Sequence, residues 1–324
     1  MNINLKTINN LINFNETYTK EAMNNFLKKY YSEVISTKDY IIAIGEIPIA
    51  LVAHMDTVFD DPKVGYLQKD LIYDTKKQIL YSPQGAGFDD KAGLYAIIQI
   101  VKKGYRPTIL LTTKEERGGY GALALAEFKL LDKTPINYLI ELDRRGKDDC
   151  VFYDCDNREF VKYIESFGFK EKKGTFSDIS YLMPTWKICG VNLSVGYENE
   201  HTHSEILYVN DLHNTINKVI SILQSKSFPS FEYIEKKYFS TLENNYLFGF
   251  KVKCEECGLM FSDENVIPYK DKNTTSFICL HCLANSNSKI SWCERCGEAF
   301  KKEGESNLCH DCANGKNISQ TSTK

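Results

Sequence analysis

Three things are missing from this chain of 324 residues. No stretch is apolar over the roughly 20 residues that a membrane-spanning helix needs. The first residues, MNINLKTINNLINF, have neither the basic end nor the long apolar core of a secretory signal. Neither sign of charge dominates: 40 Lys and Arg stand against 43 Asp and Glu, a formal net charge of −3. That balance argues against electrostatic binding of nucleic acid or of a membrane surface. These absences make a cytoplasmic location the expectation. What is present suffices for one substantial α/β domain and a smaller module. The N-terminus itself has helical spacing, with Leu5, Ile8, Leu11 and Ile12 on one side.

Four apolar segments share one design. Ile47 to Ala53 is an apolar run with the composition of a strand buried on both faces, and His54-Met-Asp56 follows it. Ile109 to Thr113 ends just before Glu115 and Glu116, and Gly118, Gly119 and Gly121 permit a tight turn before a helix expected over Ala122 to Leu131. Tyr138 to Leu142 ends on Asp143, and Val191 to Val195 precedes His201-Thr-His203. A fifth motif, Asp89-Asp90-Lys91, opens a helix in which Leu94, Ile97, Ile98 and Val101 recur at helical spacing. Its carboxylates then lie where the helix dipole favours them. Taken singly, His54-Met-Asp56 also reads as a solvated turn, Asp89-Asp90 reads first as a helix cap, and a Glu pair is common on solvated surfaces. Taken together, metal-capable residues end four strands, where open α/β sheets collect their ligands. Imidazole and carboxylate are the ligands of catalytic zinc. Asp56, two residues after His54, is placed to accept from the second ring nitrogen and set its tautomer.

In order and local sequence, residues 40 to 225 resemble the co-catalytic zinc exopeptidase superfamily of aminopeptidases, dipeptidases, carboxypeptidases and related deacylases. The resemblance implies an α/β fold with a mixed, largely parallel sheet sandwiched by helices. It implies that Asp89 bridges two zinc ions, that His54 and Asp143 complete one site, and that Glu116 and His201 complete the other. Glu115 would be the general base acting on a water shared by both ions, and Asp56 would support His54. Asp90 would follow Asp89 through a cis peptide, as in many members. His201 fits the family pattern, His-Thr-x-x-Glu ending at Glu205, better than His203 does. The implied ions are two catalytic Zn²⁺, with Mn²⁺ or Co²⁺ as alternatives.

Many members insert a lid and dimerisation domain between the last two ligands. Here 58 positions separate Asp143 from His201, and they must hold a strand at Cys150 to Tyr153, a helix around Phe160 to Phe167 and the strand before His201. The chain resembles the lidless, aminopeptidase-like form.

Beyond residue 250 the character changes. Four C-x-x-C pairs, Cys254/Cys257, Cys279/Cys282, Cys293/Cys296 and Cys309/Cys312, form a metal framework of the zinc-ribbon type. Sequential pairing makes two Cys₄ sites for two structural Zn²⁺; a cross-braced pairing uses the same residues. His281 and His310 lie inside pairs and are expected to be bystanders. Cys150, Cys155 and Cys189 have no motif spacing and are expected to be buried. From Leu247 onward 10 Lys and Arg balance 10 Asp and Glu. The module is thus better suited to a protein partner or to substrate positioning than to nucleic acid. A helix at Asp211 to Ser225 is expected to close the first domain.

The expected organisation is a catalytic domain over 1–228, a connector over 229–246, a double zinc-ribbon-like module over 247–314 and a disordered tail over 315–324. The expected function is a di-zinc metallopeptidase, an aminopeptidase or small-peptide peptidase. A deacylase or amidohydrolase of N-acyl amino acids is the alternative, since both reactions share a tetrahedral intermediate. A non-catalytic adaptor with a degenerate peptidase fold is the third reading, and the full residue set argues against it.

Overall fold

The computed structural model describes residues 3–61, 63–236 and, within 251–313, all but 258–259, 263–265, 272–273, 280–281, 284–289, 296–298 and 303–305. The chain forms two compact units, Met1–Tyr238 and Phe239–Lys324. The rest of the expected connector, from residue 237, and the expected tail lie outside the described residues.

The first unit is built on an eight-stranded mixed sheet. Its strands are β1 (Val34–Ser36), β2 (Tyr40–Ala43), β3 (Ile47–His54), β6 (Pro107–Thr112), β7 (Tyr138–Arg144), β8 (Asp149–Val151), β9 (Lys170–Glu171) and β10 (Cys189–Ser194). They lie in the order β1-β2-β6-β3-β7-β10-β8-β9. The central four, β6, β3, β7 and β10, run parallel. β6 and β10 are buried along their whole length, as parallel strands covered on both faces must be.

Seven helices accompany the sheet: α1 (Leu5–Asn13), α2 (Glu16–Leu27), α3 (Phe88–Lys102), α4 (Tyr120–Ala126), α5 (Arg158–Glu165), α6 (Ile179–Trp186) and α7 (Val209–Leu223). α3 packs on β3 and β7 and touches α1 and α7, while α4 and α6 pack on each other. α1 turns Ile8, Leu11 and Ile12 inward as its spacing predicts, but leaves Leu5 exposed. The helix expected over Ala122 to Leu131 ends at Ala126; a single 3₁₀ turn, Leu130–Asp132, follows. Along α3, Asp89 and Asp90 have non-helical backbone angles, so regular helix starts only after them.

A second, four-stranded sheet was not legible in the sequence. β4 (Ile72–Asp74), β5 (Ile79–Tyr81), β11 (Tyr197–Glu198) and β12 (Ile206–Tyr208) pair in the order β11-β12-β5-β4. It joins the segment before Asp89 to the segment around His201. Residues 144–200 contain β8, α5, β9, α6, β10 and β11, all inside the first unit, and no inserted domain. Residues 229–236, expected as connector, lie within this unit: Cys155 bridges to Glu235 and Ile188 to Glu232.

Among the described residues, the second unit pairs Lys251–Lys253 with Met260–Ser262 in a two-stranded antiparallel sheet and carries two further antiparallel hairpins, Val266–Asp271 with Thr274–Cys279 and Ile290–Trp292 with Ala299–Lys301. These last two join into one sheet where Lys270 pairs with Phe300. Among the described residues, no helix is long and apolar enough to cross a membrane.

Candidate metal centre

The parallel strands deliver their terminal residues to one place. His54 ends β3, Asp143 lies near the end of β7, and Glu115 and Glu116 follow β6 across a short turn. The Asp89–Asp90 peptide is cis. His54 Nε2 is 3.0 Å from Asp89 Oδ1 and 3.5 Å from Asp143 Oδ1. His201 Nε2 is 3.3 Å from Asp89 Oδ2 and 3.0 Å from Glu116 Oε2. The two oxygens of Asp89 therefore face two different imidazoles. His203 is elsewhere, its ring 5.5 Å from that of Phe59. His201 has a left-handed backbone (φ +62°), and so has Lys114 (φ +57°) just before Glu115. Non-glycine residues seldom adopt that region, and such positions cluster at functional sites.

Asp56 ties the centre together. Its carbonyl is 3.0 Å and its Oδ1 3.5 Å from His54 Nδ1. Both neighbours of Nδ1 are acceptors, so Nδ1 carries a proton; with a cation in place of the proton at Nε2, the Nε2 lone pair would be available to it. The Asp56 carboxylate also accepts from the backbone N–H of Glu115 (3.0 Å) and of Glu116 (3.3 Å). Asp90 belongs to the cluster with His54 and Asp143, but its oxygens accept from the backbone N–H of His54 (3.2 Å) and Gly93 (2.9 Å). It braces strand against helix.

Several supporting residues were missed from the sequence. The Ser177 hydroxyl donates to Asp143 Oδ2 at 3.2 Å, and the Tyr197 hydroxyl to Asp143 Oδ1 at 3.3 Å. Asn192 accepts from the Asp143 N–H and donates to Ser177 and Tyr153. A polar residue inside the apolar run of β10 was the available signal. Glu205, seen only as the end of a motif, accepts from the N–H of Gly87 (2.6 Å) and of Asp89 (3.0 Å). Lys91 is fully buried and donates to the Met55 carbonyl and the Thr19 hydroxyl.

The electrostatics record crowded carboxylates. Burial, and then Asp89, pushes Asp143 up to about 7. Burial pushes Glu115 well above the usual range, Asp143 and Asp178 adding to it against the pull of His54. Burial opposes charge on His54, yet Asp143, Asp56 and Asp89 together raise it well above the usual range. Asp89 is held low despite its burial by His201 and His54. Two ligand atoms on one ion, with bonds of about 2 Å at tetrahedral angles, stand roughly 3.3 Å apart. The separations of 3.0 to 3.5 Å found here match that spacing. The donor set, imidazole nitrogen and carboxylate oxygen, suits zinc.

In the second unit, Cys254, Cys257, Cys279 and Cys282 lie with their sulfurs within 4.8 Å of one another, as do those of Cys293, Cys309 and Cys312. The Cys279 N–H points at Cys254 Sγ (3.3 Å) and the Cys282 N–H at Cys279 Sγ (3.4 Å). The grouping is the sequential one, not the cross-brace. Cys296 and His281 lie outside the described residues. These clusters fit a zinc-binding module. Cys150, Cys155 and Cys189 are buried in the first unit, Cys155 Sγ 3.3 Å from Cys189 Sγ.

No protein-family model matches the chain, and no curated protein does. Solved structures do. A tripeptidase from Staphylococcus aureus is 15% identical, covering 68% of this chain and 96% of its own, with a TM-score of 0.53. The aminopeptidase PepT of Bacillus cereus is 16% identical over 68% and 96%, at 0.51. A TET aminopeptidase from a marine sediment thaumarchaeote is 13% identical over 69% and 97%, at 0.53. This chain has the zinc exopeptidase-like α/β fold, and its C-terminal cysteine clusters fit a zinc-binding module.

Proposed function

We propose that the first unit is a metal-dependent hydrolase of peptide bonds, an aminopeptidase or small-peptide peptidase. One observation carries the reading: the two oxygens of Asp89 face His54 and His201 separately, with Asp143 on one side and Glu116 on the other. His54 and Asp143 would hold one ion, Glu116 and His201 the second, and Asp89 both. Bound there, two Zn²⁺, or Mn²⁺ or Co²⁺, would polarise the scissile carbonyl and acidify a shared water. Glu115 would be the general base, taking a proton from the attacking water and passing it to the leaving amine. Asp56 keeps the Nε2 lone pair of His54 free and, through two backbone N–H bonds, fixes where the Glu115–Glu116 pair points. Residues 1–228 contain every group this chemistry uses. Residues 247–314 would hold two structural Zn²⁺, with Cys296 completing the second set, and offer a surface to a protein partner.

The test is a substrate panel with the full-length protein loaded with Zn²⁺, Mn²⁺ or Co²⁺. Aminoacyl amides and dipeptides should be cleaved faster than N-acetyl amino acids. Faster release of acetate would replace the peptidase by a deacylase, and no cleavage of either class would overturn the hydrolase.

A further inference from the structure

Between Asp143 and His201 the first unit has no inserted domain, so its own loops are candidates for the walls of a substrate cleft. We propose that Phe176 forms the apolar wall of the subsite for the side chain of a substrate's first residue, so that peptides beginning with a large apolar residue are favoured. The inference rests on the peptidase reading above.

Phe176 lies in the loop between β9 and α6, and that loop together with the first turn of α6 contacts both carboxylate-bearing segments of the centre. One residue on, the Ser177 hydroxyl donates to Asp143 Oδ2 at 3.2 Å. On the other side, the Tyr181 hydroxyl donates to the Gly118 carbonyl at 3.3 Å. Gly119 completes the contact. It has φ +68°, and a Cβ built there would meet ring atoms of Phe176 and of Tyr181, each at 2.8 Å. The Gly119 N–H in turn donates to the Glu115 carbonyl at 3.0 Å. Phe176 thus rests on the turn that carries Glu115 and Glu116, with Asp143 one hydrogen bond away.

Exposed aromatic rings are ordinary on protein surfaces; this one differs in its position. Its neighbours Ser177 and Asp178 are fully buried, whereas Phe176 stays 37% exposed. The ring meets Tyr181 edge-to-face, with centroids 5.3 Å apart, a packing that holds the aromatic pair in one orientation. In the proposed arrangement, a substrate whose carbonyl lies among Asp143, Glu115 and Glu116 sets its first side chain against this ring, where an apolar side chain removes apolar surface from water.

The test compares kcat/KM of the metal-loaded full-length protein and its Phe176→Ala and Phe176→Leu variants on leucyl, phenylalanyl, glycyl and aspartyl p-nitroanilides. The original protein should favour the leucyl and phenylalanyl substrates. Phe176→Ala should lower kcat/KM for those two by about 10-fold, the scale of a lost apolar contact, and change the glycyl value by less than about 2-fold. Phe176→Leu should keep more activity on the leucyl than on the phenylalanyl substrate. Thermal melting and metal content check that the fold and centre survive; if Phe176→Ala does not fold, the Phe176→Leu profile decides. Equal losses on all four substrates, or an unchanged preference, would overturn the subsite and leave the peptidase standing. No hydrolysis of these p-nitroanilides or of the corresponding dipeptides by the original protein would remove both.

Discussion

Glu115 and Glu116 are adjacent, alike and anchored by the same Asp56 carboxylate, yet their surroundings separate them. Glu116 points its oxygens at His201 Nε2, 3.1 and 3.0 Å away, and shares a cluster with His54 and Asp89. Glu115 stands in no metal-capable cluster among the described residues, and burial drives its carboxyl well above the usual range. Burial raises Glu116 as well, so what separates the two is position: a group that must accept a proton has to stay free of the ions. Glu115→Gln should therefore lower kcat by about 10²- to 10⁴-fold, the range of general-base catalysis, while metal content stays unchanged. Loss of a metal equivalent from the Gln variant would mean that the two glutamates have exchanged roles. At this scale, candidate chemistry was legible because few residue types can bind zinc. The partners were not, since Ser177, Asn192 and Tyr197 are ordinary residues until folding brings them to Asp143.

α3 shows how an element positions the centre. Its first two carboxyl residues leave the helical path, Gly87 turns the chain with φ +73°, and Asp90 then ties the start of the helix to the end of β3. Gly93 makes the packing feasible. A Cβ there would lie 2.1 Å from the Leu142 carbonyl and 2.4 Å from Asp90 Oδ1. The first of these is backbone of the strand that carries Asp143 and can only yield by moving the strand. Gly93→Ala should destabilise the first unit by about 1 to 3 kcal/mol, the usual cost of overpacking, despite the better helix propensity of Ala. Denaturant titration measures it, and an unshifted midpoint would show that α3 and β7 are less closely fitted than described. The strands and α3 were legible from apolar runs and helical spacing. The short strands β4, β5, β11 and β12 were not: two or three residues are too few for a period to appear.

Across the whole molecule, the acids that surround the centre make its stability depend on pH and metal. Burial raises Asp143 to about 7, Asp178 to about 6 and Glu205 to about 7, all above their unfolded values. Between about pH 4 and 7 the folded protein then binds more protons than the unfolded chain, so stability falls as pH rises. His201, raised to about 10 by Asp89 and Glu116, acts in the same sense: its contribution is complete below its unfolded value and is lost as pH climbs toward 10. Asp56 and Asp89 are lowered and act in the opposite sense, but below about pH 4. Chelator-treated protein should thus be more stable at pH 5 than at pH 8, by on the order of 3 kcal/mol. Divalent metal should cancel or reverse the difference by replacing protons among the carboxylates. Melting curves at the two pH values, with and without metal, test this; a metal-free protein that gains stability on going to pH 8 would contradict it.

What the sequence determined by itself is the inventory and its order. Apolar runs before His54, Glu115–Glu116, Asp143 and His201 and the Asp89–Asp90 pair opening a helix mark buried strands and a helix with candidate chemistry at their ends, because strand and helix periods are local properties of the chain; the mixed, largely parallel sheet was implied by the family those motifs resemble. Eight cysteines in four C-x-x-C pairs likewise mark a module of the zinc-binding type, because two thiols on one knuckle are a local arrangement. Tertiary structure alone decided which histidine of His201-Thr-His203 meets Asp89, that Asp90 braces while Asp89 faces both imidazoles, and that the four cysteines of the first two pairs come together. Each of these depends on the direction of a side chain relative to residues tens to hundreds of positions away. No local period encodes that direction; it is set by register, by a glycine that lets two backbones touch, and by buried groups such as Glu205 that have one place to find their hydrogen bonds.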